Sequence, residues 1–201
     1  MNFLGHCLFS DTTPSALAGS LWPDFAKKPT SADCSETFLY HFDQHQRIDR
    51  ITDNSDVLAP LRNQLRPVFK KTTPIIIDMM LDHHLAIHWQ RYHSLTLEDF
   101  AQKTYRNIAA FTEITMPERL ERTIQAMTEH NWFVTYRSKN GMQRAMTGVA
   151  KRIRFSNPIA LNAHLAVAWT YEFETVLHNH IQDVEKARKS QPLHISTDRR
   201  K

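Results

Sequence analysis

A chain of 201 residues with a formal net charge of +4 is long enough for a substantial core, and no low-complexity linker argues for splitting it into two domains. No apolar run approaches the roughly 18 residues that a membrane helix needs, and the start of the chain shows neither a basic leader nor a cleavage-like site, so a cytosolic protein without membrane association is expected. Cys7 and Cys34 lack metal-motif spacing and form no disulfide framework, which fits free thiols in a reducing compartment.

Four glycines, no hairpin-spaced Gly or Pro and helical periodicity in most segments predict an all-α fold, a single helical domain over residues 1–190 with a basic tail over 191–201. Residues 1–10 (MNFLGHCLFS) are apolar apart from His6 and must pack on something. Ala16 to Leu21 reads as a short helix ended by Pro23. Asp24 follows at the break between Trp22 and Phe25, either held rigidly for a ligand or capping the next turn. Ser35 caps a helix to about Asp53, along which His41, His45, Asp49 and Thr52 form one polar stripe. His45 and Asp49, one turn apart, are two metal ligands, a ligand and its orienting carboxylate, or an ordinary surface pair. Residues 55–71 form an amphipathic helix whose Arg62, Arg66, Lys70 and Lys71 read as a solvated face.

The stretch TTPIIIDMMLDHHLAIHWQRYH then predicts a central helix, capped by Thr73, opening at Pro74 and running to about Arg91. Its apolar residues fall on nearly every side, so it is expected to be wrapped by the rest of the protein, yet it carries Asp78, Asp82 and His83. At about 100° per residue Asp78 and Asp82 share a face and His83 can turn toward the same point. Buried carboxylates need a partner; a divalent cation also accepts histidine, while pairing with core arginines or a place at a solvent edge is the plain alternative. His84 and His88, on another side, read as core histidines. Further helices are expected over 97–111 (with a Thr96/Asp99 capping box), 117–137, 142–155 and 158–186, their Met and aromatic positions serving the core.

Between Glu129 and Glu172 there is no acidic residue, whereas Arg137, Lys139, Arg144, Lys151, Arg152 and Arg154 are present. Such a segment suits an acidic partner, or is simply a solvated basic face. Asp24, His45 with Asp49, and Asp78, Asp82 with His83, joined by His6, offer a His and Asp donor set without thiolates. That set suits Mn²⁺, Mg²⁺, Fe²⁺ or a catalytic Zn²⁺, and hydrolysis is the chemistry such sites commonly support. Arg47, beside His45 in sequence, would neutralise phosphate oxygens.

MNFLGH, GSLWPDF around Asp24, HQRIDRITD from His45 and DMMLDHHLAIHW from Asp78 resemble, in order and spacing, the bacterial acyl carrier protein phosphodiesterases. The resemblance runs from residue 1 to about 93 and more loosely, through NWFVTYR and GVAKRIR, to about 155. It implies a cytosolic, Mn²⁺- or Mg²⁺-dependent enzyme that removes 4′-phosphopantetheine from the serine of holo acyl carrier protein. It also implies a fold of about seven to eight helices, like a distorted HD-domain phosphohydrolase. The pair Asp82-His83 reverses the HD order, so HD ligand assignments do not transfer by position. Trp22-Pro23 and Gln46 depart from the family pattern; the former would stiffen the turn holding Asp24, and the latter removes a possible phosphate contact.

On the two arguments together, His6, Asp24, His45, Asp82 and His83 are the expected metal ligands and Asp24, Arg47 and Asp78 the catalytic groups. Arg47, Asp49, Arg137, Arg144, Lys151 and Arg152 are the expected substrate contacts, with the basic segment docking the carrier protein and nucleic acid not a partner. An HD-like hydrolase of nucleotides or other small phosphoesters is the alternative. A non-catalytic helical module that binds an acidic protein or nucleic acid through residues 137–154 is a third reading.

Overall fold

The computed structural model describes residues 1–190, all of whose regular structure is helical. The expected basic tail, 191–201, lies outside the described residues. In chain order the α-helices are α1 (Phe3–Leu8), α2 (Pro14–Leu21), α3 (Glu36–Asp53), α4 (Ala59–Phe69), α5 (Thr73–Ile87) and α6 (Leu97–Ala109). They are followed by α7 (Glu118–Glu129), α8 (Trp132–Thr135), α9 (Lys139–Arg152), α10 (Ile159–Glu172) and α11 (Glu174–Lys189).

Hydroxyl caps start several of these helices. Thr13, Ser35, Thr96 and Ser138 accept the backbone N–H three residues on, at 3.3, 3.2, 3.1 and 3.0 Å, each cap worth about 1 kcal/mol. The expected 117–137 helix is interrupted at Asn131, which sits in the left-handed region at φ 44° and separates α7 from α8. The expected 158–186 helix breaks at Phe173, between α10 and α11. These breaks and the short α1 account for the helices beyond the eight segments legible as helical.

Helix α5 is the axis. Eleven of its residues are buried, and it contacts α1, α4, α9, α10 and α11. It begins at Thr73, but Thr73 is not its cap. The Thr72 and Thr73 hydroxyls donate back to the carbonyls of Phe69 and Lys70, which continues the preceding 3₁₀ turn Lys70–Thr72 into the helix. It ends at Ile87, short of Arg91, in a second 3₁₀ turn, Trp89–Arg91. His84 and His88 lie outside the donor cluster described below. His84 Nε2 and His178 Nδ1 both contact the Tyr92 hydroxyl, at 2.8 and 2.7 Å, and so tie α5 to α11.

Helices α2 and α3 form the most extensive pair. They meet closely at Gly19, where a Cβ would lie 2.3 Å from the Phe38 carbonyl oxygen, so no larger residue fits. One continuous cluster of buried apolar side chains runs from Met1 to Val184.

Candidate metal centre

The site is assembled from four stretches: α1, the turn after α2, the middle of α3 and the middle of α5. Helix α1 has only six residues and no side-chain cap of its own. Asp82 supplies what is missing. Its Oδ2 accepts from Leu4 N–H at 2.8 Å and its Oδ1 from Gly5 N–H at 3.0 Å, satisfying two amides that a helix start leaves open. Gly5 permits this approach, because a Cβ there would lie 2.7 Å from Met1 Sδ and 3.1 Å from Asp82 Oδ1. Burial pushes the Asp82 carboxyl up to about 7, against the pull of the two N–H bonds.

The consequence is that His6 is held one residue beyond the anchored turn, fully inside the protein. Its ring stacks on that of His45, with centroids 3.7 Å apart and planes 10° from parallel. His45 comes from α3 and is oriented from behind by its Nδ1, which donates to the Ser20 carbonyl at 2.7 Å. Its Nε2 therefore faces two carboxylates, Asp49 Oδ2 at 3.1 Å and Asp24 Oδ1 at 3.5 Å. His6 Nε2 approaches Asp49 Oδ1 to 3.2 Å, but at an angle that makes no hydrogen bond, and both His6 ring nitrogens are buried without an aligned partner.

Asp24 closes the 3₁₀ turn Trp22–Asp24. That turn is fixed by Trp22, whose indole packs edge-on against Phe38 and whose Nε1 donates to the Lys27 carbonyl at 3.2 Å. Asp78 and Asp49 flank the Met1 ammonium at 2.8 and 3.3 Å.

Electrostatics follow from this crowding. Burial lowers His6 to about 4, helped by the neighbouring His45. Burial would lower His45 too, but its hydrogen bonds to Asp24 and Asp49 and their charges outweigh it and raise it to about 9. The same bonds hold both carboxyls below their usual range despite burial. Burial raises Asp78, the Met1 ammonium opposing it, and the ammonium itself is raised to about 10 because its carboxylate neighbours exceed its own burial penalty.

Among the described residues, His6, His45 and Asp49 form a set whose ligand atoms all lie within 4.8 Å of one another. Two imidazoles, one of them (His6) buried and unsatisfied, a carboxylate and a second carboxylate at the rim are donor chemistry suited to a divalent cation, which would take the place of the His45 proton. The expected set is thus regrouped. His6, Asp24 and His45 come together as the sequence suggested, and Asp49, expected to contact substrate, is at the centre. Asp82, expected as a ligand, uses both oxygens on the α1 backbone. His83 is not gathered either. Its Nδ1 donates to the Tyr136 carbonyl at 2.5 Å, and its ring lies edge-on to Tyr171.

Of the expected substrate contacts, Arg47 is two residues from His45, hence about 200° round α3. It lines a shallow depression with Arg50, His180 and Asp183 instead of the donor cluster. Arg137 is paired bidentately with Glu98 at 2.9 and 3.2 Å. Arg144 and Arg152 line a cavity between α7, α8 and α9, while Lys151 lies with Arg144 on the outer side of α9. The Met1 ammonium, the Ser20 carbonyl and Arg122 of that cavity contribute as well, and no motif or spacing in the sequence marks them.

The profile of the acyl carrier protein phosphodiesterase family matches residues 1–187. The chain belongs to that family. It is 31% identical over 153 residues to the acyl carrier protein phosphodiesterase of Klebsiella pneumoniae subsp. pneumoniae, covering 76% of this chain and 79% of the relative. The proteins of the same name from Enterobacter sp. strain 638 and Escherichia coli O6:H1 are 30% and 28% identical, with the same coverage of both chains. No solved structure matches the chain. Among the described residues no helix is long and apolar enough to cross a membrane.

Proposed function

We propose that this protein is a cytosolic phosphodiesterase that hydrolyses the bond between 4′-phosphopantetheine and the serine of holo acyl carrier protein, using Mn²⁺ or Mg²⁺. The observation that carries the reading is the convergence of His6, His45 and Asp49, with Asp24 beside them, in a chain of this family. His6, His45, Asp49 and Asp24 would hold the cation. When bound, a divalent ion supplies water activation near neutral pH and charge neutralisation on phosphoryl oxygens.

The chain's own residues do the rest. Ser20 and Asp82 fix the two imidazoles, one directly and one through α1, so the donors need no rearrangement to receive a ligand. Asp24, the most exposed of the cluster's carboxylates at 43%, stays ionised and stands where it can take a proton from an incoming water. The Met1 ammonium keeps a fixed positive charge beside Asp49 and Asp78. Arg144, Lys151 and Arg152 offer an acidic carrier protein a cationic face on α9; all three are exposed, and no acidic residue occurs on that helix. With Arg47 on another side of α3, these residues are better placed than Arg47 to meet the substrate.

The deciding experiment is the intact mass of purified holo acyl carrier protein after incubation with this protein and Mn²⁺, alongside Asp49→Ala and Asp24→Ala variants. Loss of the phosphopantetheine mass with wild type only is the expected result. Retention of that mass by all three, with the proteins folded and metal-loaded, would overturn the reading and direct attention to small phosphoesters.

A further inference from the structure

A cavity of about 710 Å³ opens between α7, α8 and α9, within the size range of sites for small organic ligands. Its walls are built from Phe3, Met79, Trp132, Tyr136, Ala145 and Val149. Arg122, Arg144 and Arg152 line it as exposed residues and so stand toward its mouth, and no Asp or Glu is among the lining residues. The lining therefore joins largely apolar walls, with Asn2, Thr123, His130 and Thr135 among them, to a cationic mouth, the character of a site for an apolar chain that carries polar or anionic groups at its near end.

Its position relative to the donor cluster gives it meaning. Met1 sits on Asp49 and Asp78, and the next residues, Asn2 and Phe3, already line the cavity. On α5 the same step separates Asp78, at the cluster, from Met79, in the cavity wall. Phe3 also stacks on Phe25, the neighbour of Asp24, and on Trp132 of the cavity, each at 6.1 Å. The two sites thus share the Asn2–Phe3 segment as a common border. A flexible substituent on a phosphorus at the carboxylates needs only to cross that segment to enter the cavity.

Resting on the function proposed above, we infer that this cavity receives the thioester-bound acyl chain at the far end of the phosphopantetheine arm. The arm crosses Asn2–Phe3, its amide carbonyls facing the guanidinium groups at the mouth, and the acyl chain fills the apolar interior. The cavity then makes the enzyme distinguish carrier proteins by what their arms carry. A free-thiol arm leaves it empty, whereas a medium-length acyl group gains binding in proportion to the apolar surface it buries.

The fold contains a position suited to testing this. Gly148 lines the cavity from α9, and a Cβ built there meets nothing within 4 Å. Gly148→Leu therefore adds bulk at the cavity rim from a Cβ that meets no neighbour, and it replaces glycine with a better helix former in a helix interior.

The measurement compares wild type and Gly148→Leu on carrier protein bearing a free-thiol arm and on carrier protein bearing an octanoyl arm. The expected result is a kcat/KM at least about tenfold lower on the octanoyl substrate and changed less than about threefold on the free-thiol one. An equal change on both substrates, or none on either, would overturn the assignment while leaving the phosphodiesterase reading in place. If wild type releases neither arm, the phosphodiesterase reading fails, and binding of free S-octanoyl-pantetheine to the two proteins decides the cavity separately. Tenfold weaker binding to Gly148→Leu supports the assignment, and equal binding refutes it.

Discussion

His6 and His45 lie ring on ring, 3.7 Å between centroids, and both turn Nε2 toward the carboxylate of Asp49, at 3.2 and 3.1 Å. Two imidazoles that would repel if both were protonated are kept together by one carboxylate, so Asp49 is the group on which the cluster depends. Asp49→Asn keeps the shape and removes the charge. Mn²⁺ affinity should fall by more than the roughly 10- to 100-fold typical for loss of an outer-shell partner, and turnover should fall with it. Calorimetric titration of Mn²⁺ into the EDTA-stripped variant checks this, and unchanged affinity would remove Asp49 from the ligand set.

The stacked pair also sets a pH dependence for the metal-free protein. His45 is raised to about 9 in the folded state, so its stabilisation is complete below its unfolded value near 6.5 and is lost as pH rises through 9. His6 is lowered to about 4, so its contribution is present above about 6.5 and is lost as pH falls toward 4. The two windows meet near pH 6 to 7, where both contributions are present. The His45 share is on the order of 3 kcal/mol at most. Thermal melts of EDTA-treated wild type and His45→Gln between pH 5 and 10 test this: the wild-type curve should fall on the alkaline side, and the variant should lose the part of the fall between about pH 6.5 and 9 while keeping the part above pH 8 that belongs to the Met1 ammonium, raised to about 10.

Asp82 predicts a different phenotype from Asp49, because its two oxygens accept from the Leu4 and Gly5 backbone N–H groups of α1. Asp82→Asn turns an acceptor into a donor facing an N–H, leaving a buried amide unsatisfied at a cost of about 1–3 kcal/mol. Its loss should appear in urea denaturation with or without metal, and high Mn²⁺ should largely restore turnover. Gly5→Ala should resemble it, since the added methyl would press on Met1 and on Asp82 Oδ1.

The sequence and the structure part company for definable reasons. Helices are legible at Ser35 and Thr96, where apolar periodicity meets a hydroxyl cap, but α9 starts on the Ser138 cap at Lys139, three residues before the expected start, and helices run together where only one residue's conformation marks the break, as at Asn131 and Phe173. Spacing found His45 with Asp49, because one helical turn guarantees a shared face. The rest of that stripe diverges. His41 contacts Asp11 and Ser10, while Thr52 contacts His180. Asp82 is legible as a buried carboxylate in need of a partner. Its partner is the start of α1, far away in sequence, and helical periodicity within one segment carries no information about which distant amides will be left open.

Arg47 gives the last prediction, because adjacency in sequence and adjacency in space disagree there. It neighbours His45 in the chain, yet its side chain lines the depression shared with His180 and Asp183. Arg47→Ala should therefore change kcat on holo acyl carrier protein less than about threefold, less than the loss expected from removing a group that stabilises transition-state charge. The triple variant Arg144→Glu, Lys151→Glu, Arg152→Glu should instead raise KM at least about tenfold with kcat nearly unchanged, since docking charges act before the chemical step. In wild type the KM should climb between low and high ionic strength, and in the triple variant that dependence should flatten or reverse. A large kcat loss in Arg47→Ala, or a salt dependence that survives the triple substitution, would mean that the carrier protein approaches over the α3–α11 face and not over α9.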